Sequence, residues 1–420
     1  MGEISQVKDP GLAKSGRDKI SLAKREMPVL NSIADDFRLS KPFAGLTIGA
    51  CLHVTKETGV LVETLVTGGA RVFLCGSNPL STQDDVAAAL ASHDSTYVFA
   101  WRGMSSRDYR QCLNNLLDFG PQLVIDDGAD LISLIHSSRR GLLKTVFAGQ
   151  EETTTGVTRL KAMARENKLE IPIVAVNDTP TKRMFDNYYG TGQSTMDALM
   201  RTTNILLPGK VVVVSGYGFC GKGIAKCARG MGARVVVTEV DSTKSLQAIM
   251  DGHEVVSLGD AAKLGDVFIT ATGNKDVITV QHMELMKDGV ILGNAGHFNV
   301  EIDVSGLMVV SFNKQVVRAN LEQYTLKNGR KIYLIAEGRL MNLVAAEGHP
   351  SSVMDMSFAN QALVCQWLAK EGKSLEQKVH SVPEEIDKKV ARLKLDAMGI
   401  KIDILSDAQV KYLSSWQTGI

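Results

Sequence analysis

The chain has 420 residues, enough for two or three domains with ample core, and 47 basic residues against 46 acidic ones leave a formal net charge of +1. That balance argues against a nucleic-acid or membrane partner, and no stretch approaches the ~20 apolar residues of a membrane span. Six cysteines (Cys51, Cys75, Cys112, Cys220, Cys227, Cys365) form no C-x-x-C pair and no metal-ligand spacing, so free thiols in a reducing cytoplasm and no metal are expected. The first twenty residues, MGEISQVKDPGLAKSGRDKI, are charged and lack the apolar centre of a signal peptide.

Ser15 to Leu30 reads as an amphipathic helix ending near Glu26-Met27-Pro28. Leu46 to Pro79 then gives strand, loop, helix, a Gly68-Gly69 turn and a second strand, which is one βαβ unit. Further pairs follow: a helix over Asp84 to Ser92, a strand over Thr96 to Trp101, a helix over Ser106 to Leu117 and a strand over Leu123 to Asp126. EETTTG (Glu151 to Gly156) precedes a helix over Val157 to Asn167 and a strand over Ile171 to Val176. This recurrent order predicts a parallel sheet with helices on both faces.

The second half opens on KVVVVSGYGFCGKGIAKCARGMGARVVVTEVD, from Lys210 to Asp241. An apolar strand, a G-x-G-x-x-G turn (Gly216, Gly218, Gly221, with Tyr217, Phe219 and Cys220 between them), an amphipathic helix and a second strand ending at Glu239 form a dinucleotide-binding unit. Gly216 serves the tight turn, Gly218 the approach of a pyrophosphate, and Gly221 the packing of helix on strand. Glu239 sits close to the ~20-residue offset of an acid that bonds a ribose 2′-hydroxyl, which favours NAD over NADP. Strands over Val267 to Gly273 and Gly289 to Gly296 each end in a polar glycine loop, as a second mononucleotide half requires. The expected fold class is therefore α/β, two doubly wound parallel-sheet domains joined near Asp186 to Leu206. Past Ile335 a crossover and a long helix should pack back on the first module, and from about Ser381 a charged helix pair reads as a tail or oligomer arm.

Ligands of open α/β sheets bind beyond the carboxyl ends of the strands. There the first module offers His53, Thr55, Asp126, Asp127, Glu152 and three threonines (Thr153, Thr154, Thr155). VNDTPTKRMFDNYYGTGQS adds Asn177, Lys182, Asp186 and Asn187; Lys182 and Asp186 stand four residues apart, alone no more than a surface pair. His297 in GNAGHF is placed to face the cleft from the nucleotide side, and His349 in EGHPS suits a hinge. His93, His136, His253, His282 and His380 have no case beyond structure. The residues by themselves point to an NAD-dependent enzyme acting on a polar small molecule.

CLHVT, STQDD, IDDGADL, EETTTG, VND…TK…FDNYYGTGQS, GYGFCGKG, TEVD, GNAGHF, VEID, AEGRLMNL and GHPSSVMDMSF, in this order, resemble the S-adenosyl-L-homocysteine hydrolase family over nearly the whole chain. The resemblance implies one tightly bound NAD per subunit, reduced and reoxidised within each turnover. Oxidation of the ribose 3′-hydroxyl acidifies the C4′ proton, homocysteine leaves by β-elimination, water adds, and re-reduction releases adenosine. By resemblance, Lys182 and Asp186 serve the 3′-hydroxyl, with Lys182 a base of lowered pKa and Asn177 orienting it. Glu152 meets the ribose hydroxyls, and His53 and Asp127 manage the leaving sulfur and the attacking water. Thr55 and Glu57 read the adenine edge, His349 and Met354 wall the base, and His297 stands near the 3′-oxygen. Thr153, Thr154, Thr155, Asn187, Glu239, Asn274, Asn294, Ala295, Gly296, His297 and Asn342 fall at cofactor positions.

The resemblance further implies a substrate-binding domain of residues 1–185 and 346–395, a Rossmann NAD domain of 186–345, a helical arm over 396–420, and a cytoplasmic homotetramer. Thr191 stands where animal members carry a cysteine, and Glu347 where they carry methionine. The long insertion of many bacterial and plant members is missing, as in the archaeal-type branch, and the chain stops at Ile420 without the lysine- and tyrosine-bearing tail of animal members. Rival readings are the branch that cleaves S-inosylhomocysteine, an idle NAD-binding relative, and an ordinary NAD dehydrogenase.

Overall fold

The computed structural model describes residues 5–417, so the first four residues of the charged N-terminus and the last three of the expected arm lie outside the described residues. Two sheets organise the chain. The first holds β1 (Thr47–Leu52), β2 (Arg71–Gly76), β3 (Thr96–Phe99), β4 (Leu123–Asp126), β5 (Ala148–Glu151) and β6 (Ile173–Ala175). It also takes a strand from far down the chain, Val379–Ser381, and its order from that strand is β6-β5-β4-β1-β2-β3, all parallel. The strands are almost wholly buried runs, because helices cover both faces.

The second sheet comprises β7 (Val211–Ser215), β8 (Arg234–Thr238), β9 (Glu254–Val255), β10 (Val267–Thr270), β11 (Val290–Asn294), β12 (Ser311–Arg318), β13 (Leu321–Leu326) and β14 (Lys331–Ile335). Its order is β12-β13-β14-β11-β10-β7-β8-β9. The sequence pattern predicts parallel strands alone. In the structure β13 runs antiparallel to both β12 and β14, so a meander extends the parallel core.

Two other elements differ from expectation. A second helix, Pro28–Ser40, follows the helix Ala13–Arg25 directly, with Pro28 at its first turn, where a missing N–H costs nothing. The helix expected from Val157 begins earlier, at Thr154, so the threonines of EETTTG open a helix N-terminus.

The chain passes between the sheets twice. After β6 it runs through the short helix Pro180–Arg183, a π-helical turn (Asp186–Gly190) and the helix Thr191–Thr203. It returns through Met341–Val344 into the crossover helix Ser351–Glu371. Phe358, Ala359, Ala362, Leu363, Val364 and Leu368 of that helix belong to the core of the first sheet. Its buried Asp355 accepts bonds from the N–H groups of Val29 (3.2 Å) and Leu30 (2.9 Å) and pairs with Lys394 at 2.9 Å. One carboxylate thus ties the N-terminal helices, the crossover helix and the helix Glu384–Ala397 together. Beyond that last helix, Ile402, Ile404, Leu405 and Trp416 are exposed. Among the described residues no helix is long and apolar enough to cross a membrane.

Candidate active site

The carboxyl ends of both sheets open on one cavity of about 1100 Å³. On the second sheet, β7 ends at Ser215 and Gly216 turns the chain with φ +97°, a conformation that L side chains rarely adopt. A Cβ on Gly221 would fall 1.8 Å from the Gly216 carbonyl oxygen, so only glycine lets the helix Phe219–Gly230 start this close to the strand. Among the described residues, a Cβ on Gly218 would meet nothing within 4 Å, and the helix N-terminus there has no side-chain cap. Free N–H groups thus face open space, the setting a pyrophosphate fits. Glu239, after β8, accepts from the Tyr217 N–H (2.7 Å) and the Val240 N–H (2.7 Å) while lining the same cavity. Turn, helix end and acid together fit NAD.

The loops after β10 and β11 complete this wall, and the glutamate of the VEID motif, which the sequence marked without giving it a role, joins them. Glu301, 1% exposed, accepts from the N–H groups of Thr272 (3.0 Å) and Gly273 (2.8 Å) and from the Thr272 hydroxyl (2.7 Å). A Cβ on Gly296 would collide with its carboxylate, so both glycine loops pack around it.

On the facing wall, Lys182 is 4% exposed. Its Nζ lies 3.3 Å from Glu152 Oε1, 3.6 Å from Asp186 Oδ1 and 2.8 Å from the Asn187 amide oxygen. The helical turns after Thr179 bring these groups together: Lys182 sits in the helix Pro180–Arg183 and Asp186 opens the π-helical turn. Burial works against the Lys182 charge, but Asp186 and Glu152 outweigh it and raise its pKa. Where a lysine tuned downward was expected, two carboxylates hold it as an ammonium. Burial likewise opposes ionisation of Asp186, yet Lys182, His349 and the Ser357 hydroxyl hold its carboxyl well below the usual range. Burial carries Glu152 up to about 7, against the pull of Lys182.

Beside this cluster, His53 Nε2 lies 3.4 Å from Asp127 Oδ2, and His297, from the other sheet, places Nδ1 3.7 Å from Asp127 Oδ1. His53 Nδ1 bonds the Ser81 hydroxyl at 2.7 Å. Burial pushes His53 down to about 4, more than Asp127 restores, so its imidazole is neutral at neutral pH and can take up a proton. His349 bridges the two parts of the chain, with Nδ1 3.0 Å from Asp186 and Nε2 3.3 Å from the Thr191 hydroxyl.

Most of the residues singled out from the sequence line this cavity, including Thr55, Glu57, Thr153, Thr154, Thr155, Asn274, Ala295, Asn342 and Met354. Asp126, Asn177, Tyr217, Gly221 and Asn294 do not. Asn177 stands behind Lys182, its Oδ1 at 3.4 Å. The Tyr217 ring turns away and its hydroxyl donates to Asp251. Asn294 spends its amide on the carbonyls of Gly296, Phe298 and Gly338, so it shapes the loop from beneath. His282, set aside in the sequence, does line the cavity. Thr191 brings no thiol, but Cys220 places its sulfur 3.6 Å from the Thr191 hydroxyl, inside the cavity. Glu347 lies in the return crossing, 3.6 Å from both Lys56 and Arg201.

A dinucleotide-binding sheet that faces a buried acid–base cluster across one cleft defines a cofactor-dependent enzyme. Residues 5–149 match the S-adenosyl-L-homocysteine hydrolase family, and residues 187–348 match the NAD binding domain of S-adenosyl-L-homocysteine hydrolase. The chain is 57% identical to adenosylhomocysteinase of Aquifex aeolicus, covering 98% of this chain and 99% of that protein. It is 56% identical to the Aeropyrum pernix adenosylhomocysteinase, covering 99% and 100%. It is also 53% identical to a Methanococcus maripaludis protein named S-inosyl-L-homocysteine hydrolase, covering 99% and 100%. The chain belongs to the S-adenosyl-L-homocysteine hydrolase family. A dipicolinate synthase polypeptide from Bacillus halodurans shares the fold alone, with a TM-score of 0.50 at 15% identity over 78% of this chain and 99% of that one.

Proposed function

We propose that the protein reversibly hydrolyses S-adenosyl-L-homocysteine to adenosine and L-homocysteine. The observation that carries this reading is the buried Lys182–Glu152–Asp186 cluster facing the dinucleotide loops across one cavity. Gly216, Gly218, Glu239, Asn274 and Thr153 to Thr155 would hold NAD, which supplies reversible oxidation at the ribose 3′ carbon when bound. Glu152 and Asp186 receive the ribose hydroxyls. As those hydroxyls engage the two carboxylates, their hold on the Lys182 ammonium weakens; it passes a proton to Glu152, 3.3 Å away, and the neutral amine can then accept the 3′-hydroxyl proton. Neutral His53, paired with Asp127 and His297, orients the water that replaces the C5′ sulfur and accepts the proton which that water gives up as it adds. His297 approaches from the nucleotide side, so closure of the two sheets completes this trio.

At the purine end, Glu57 is pinned by the Ser351 hydroxyl (2.6 Å) and Lys56 (3.2 Å). Its free lone pairs suit a 6-amino donor, which favours adenine. Lys56 is the observation that favours the S-inosyl reading, because an ammonium beside Glu57 could donate to a 6-oxo group. Residues 1–185 and 346–395 would bind the nucleoside and 186–345 the cofactor. The exposed apolar side chains of the arm from 396 onward, together with Phe312 and Val316 on the edge strand β12, suit burial in a homotetramer. Six free cysteines suit a reducing cytoplasm.

The test is condensation of L-homocysteine with adenosine and, separately, with inosine by the NAD-loaded protein. Adenosine should be the better substrate by at least tenfold. A clear preference for inosine overturns the purine assignment. Turnover of neither leaves an idle NAD-binding relative, and steady accumulation of NADH points to a dehydrogenase.

A further inference from the structure

The crossover helix Ser351–Glu371 carries four polar residues that are completely buried, Asp355, Ser357, Asn360 and Gln361. Buried polar side chains on a helix that could have been apolar call for a reason. The Ser357 hydroxyl donates to Asp186 Oδ2 at 2.7 Å, and the Gln361 amide donates to Glu152 Oε2. At the head of the helix, Ser351 donates to Glu57 at 2.6 Å. At 100° per residue, positions 351, 354, 357, 358 and 361 fall within an arc of about 120°. This one face meets carboxylates from three different segments of the chain, and Met354 and Phe358 line the cavity between them.

The choice of oxygen is the informative detail. Asp186 gives Oδ2 to Ser357 and keeps Oδ1 for Lys182 (3.6 Å) and His349 (3.0 Å). Glu152 gives Oε2 to Gln361 and keeps Oε1 for Lys182 (3.3 Å). In both carboxylates the helix takes the far oxygen, and the near one converges on the same ammonium. A carboxylate free at its far oxygen could rotate about its terminal bond. Held there by a neutral donor, it has one orientation, and it remains an acceptor toward the lysine. The Gln361 amide oxygen has no partner among the described residues although it is buried, so the side chain's bonding value lies on its donor side.

We propose that Ser357 and Gln361 are positioning residues for the reaction, the crossover helix using them to aim Asp186 and Glu152 at Lys182. This rests on the reading of the cavity given above. Because the same helix forms the return connection between the two sheets, the aim of the cluster is coupled to how that connection is seated.

The full-length, NAD-loaded protein tests it with S357A and Q361M, and with S357T and S357V as a pair matched in shape that differs in the hydroxyl. Three quantities are read: adenosine affinity by calorimetry, the rate of bound-nicotinamide reduction on adding adenosine, and the unfolding temperature. S357A and Q361M should slow reduction roughly tenfold to a hundredfold, the loss expected when a charge-bearing group is released from a hydrogen bond. For S357A, adenosine affinity should change less than about threefold, because Ser357 bonds Asp186 and not the ligand. S357T should reduce at least tenfold faster than S357V, a comparison that stands even where S357A does not fold. Equal rates for wild type and S357A, or for S357T and S357V, overturn the proposal. A simply structural role would lower the unfolding temperature and affinity together, leave the rate of the bound complex unchanged, and count against it. Wild type that binds adenosine without reducing its nicotinamide would instead overturn the reading of the cavity itself.

Discussion

Gly218 and Gly221 stand three residues apart in one turn, and replacing each by alanine should have opposite consequences. Gly218 has φ −75° and ψ −168°, which alanine adopts freely, and its Cβ would meet nothing within 4 Å. Gly218→Ala should therefore leave the apo fold unharmed, or stabilise it by about 0.4–1 kcal/mol by restricting the unfolded chain. The added methyl occupies the space that the pyrophosphate approaches, so NAD affinity should fall at least tenfold. Gly221→Ala places a Cβ 1.8 Å from the Gly216 carbonyl oxygen, a separation at which helix and strand must move apart. Overpacking of this kind costs about 3 kcal/mol, and at roughly 2–4 °C per kcal/mol for a cooperative unit the size of the nucleotide domain, that domain should unfold some 6–12 °C earlier in the apo protein. Thermal unfolding without cofactor, followed by titration with NAD, separates the two. Wild-type NAD affinity in Gly218→Ala, or a wild-type unfolding temperature in Gly221→Ala, would refute the assignment of these glycines.

Lys182→Ala should abolish the rise in bound-NADH absorbance on adding adenosine; a rise at the normal rate would falsify the role given to Lys182. The same change leaves Glu152 and Asp186 buried without their cation, so about 3–5 kcal/mol of stability should also be lost in urea unfolding. Asp355→Ala strands the N–H groups of Val29 and Leu30 and should cost about 2–4 kcal/mol while leaving NAD affinity intact. His53 is held at about 4 by burial, below the ~6.5 of an unfolded histidine, so the unfolded state binds its proton first. Stability from this residue is complete above about pH 7 and is lost as pH falls toward 4, by up to about 3 kcal/mol. His53→Gln should flatten that part of the stability profile, and parallel profiles for variant and wild type would contradict a buried neutral imidazole.

The fold was legible where a pattern repeats. Helix Ser106–Leu117 and strand Leu123–Asp126 fall where their spacing puts them, because amphipathic period and buried β runs are local properties. The three-residue strand Val379–Ser381 was not legible, since it exists only by pairing with β6 from two hundred residues earlier. The β12–β14 meander escaped for a related reason. β12 is exposed along most of its length, which leaves no inward-outward alternation to read.

The site divides in the same way. The glycine spacing from Gly216 to Gly221, the acid at Glu239 and the order of the family motifs are written in the chain, because each depends on neighbours a few residues away. The chain order also placed His53, Asp127, Glu152, Lys182 and Asp186 at strand and helix ends, where an open α/β sheet exposes them. Their protonation was not decided there. Lys182 is an ammonium because two carboxylates, one thirty residues earlier, meet it where it is buried. That Ser357 and Gln361 hold the far oxygens of those carboxylates depends on a helix returning from the other sheet. Burial and through-space charge are properties of the packed molecule, and both act on residues that lie close in space and far apart in the chain.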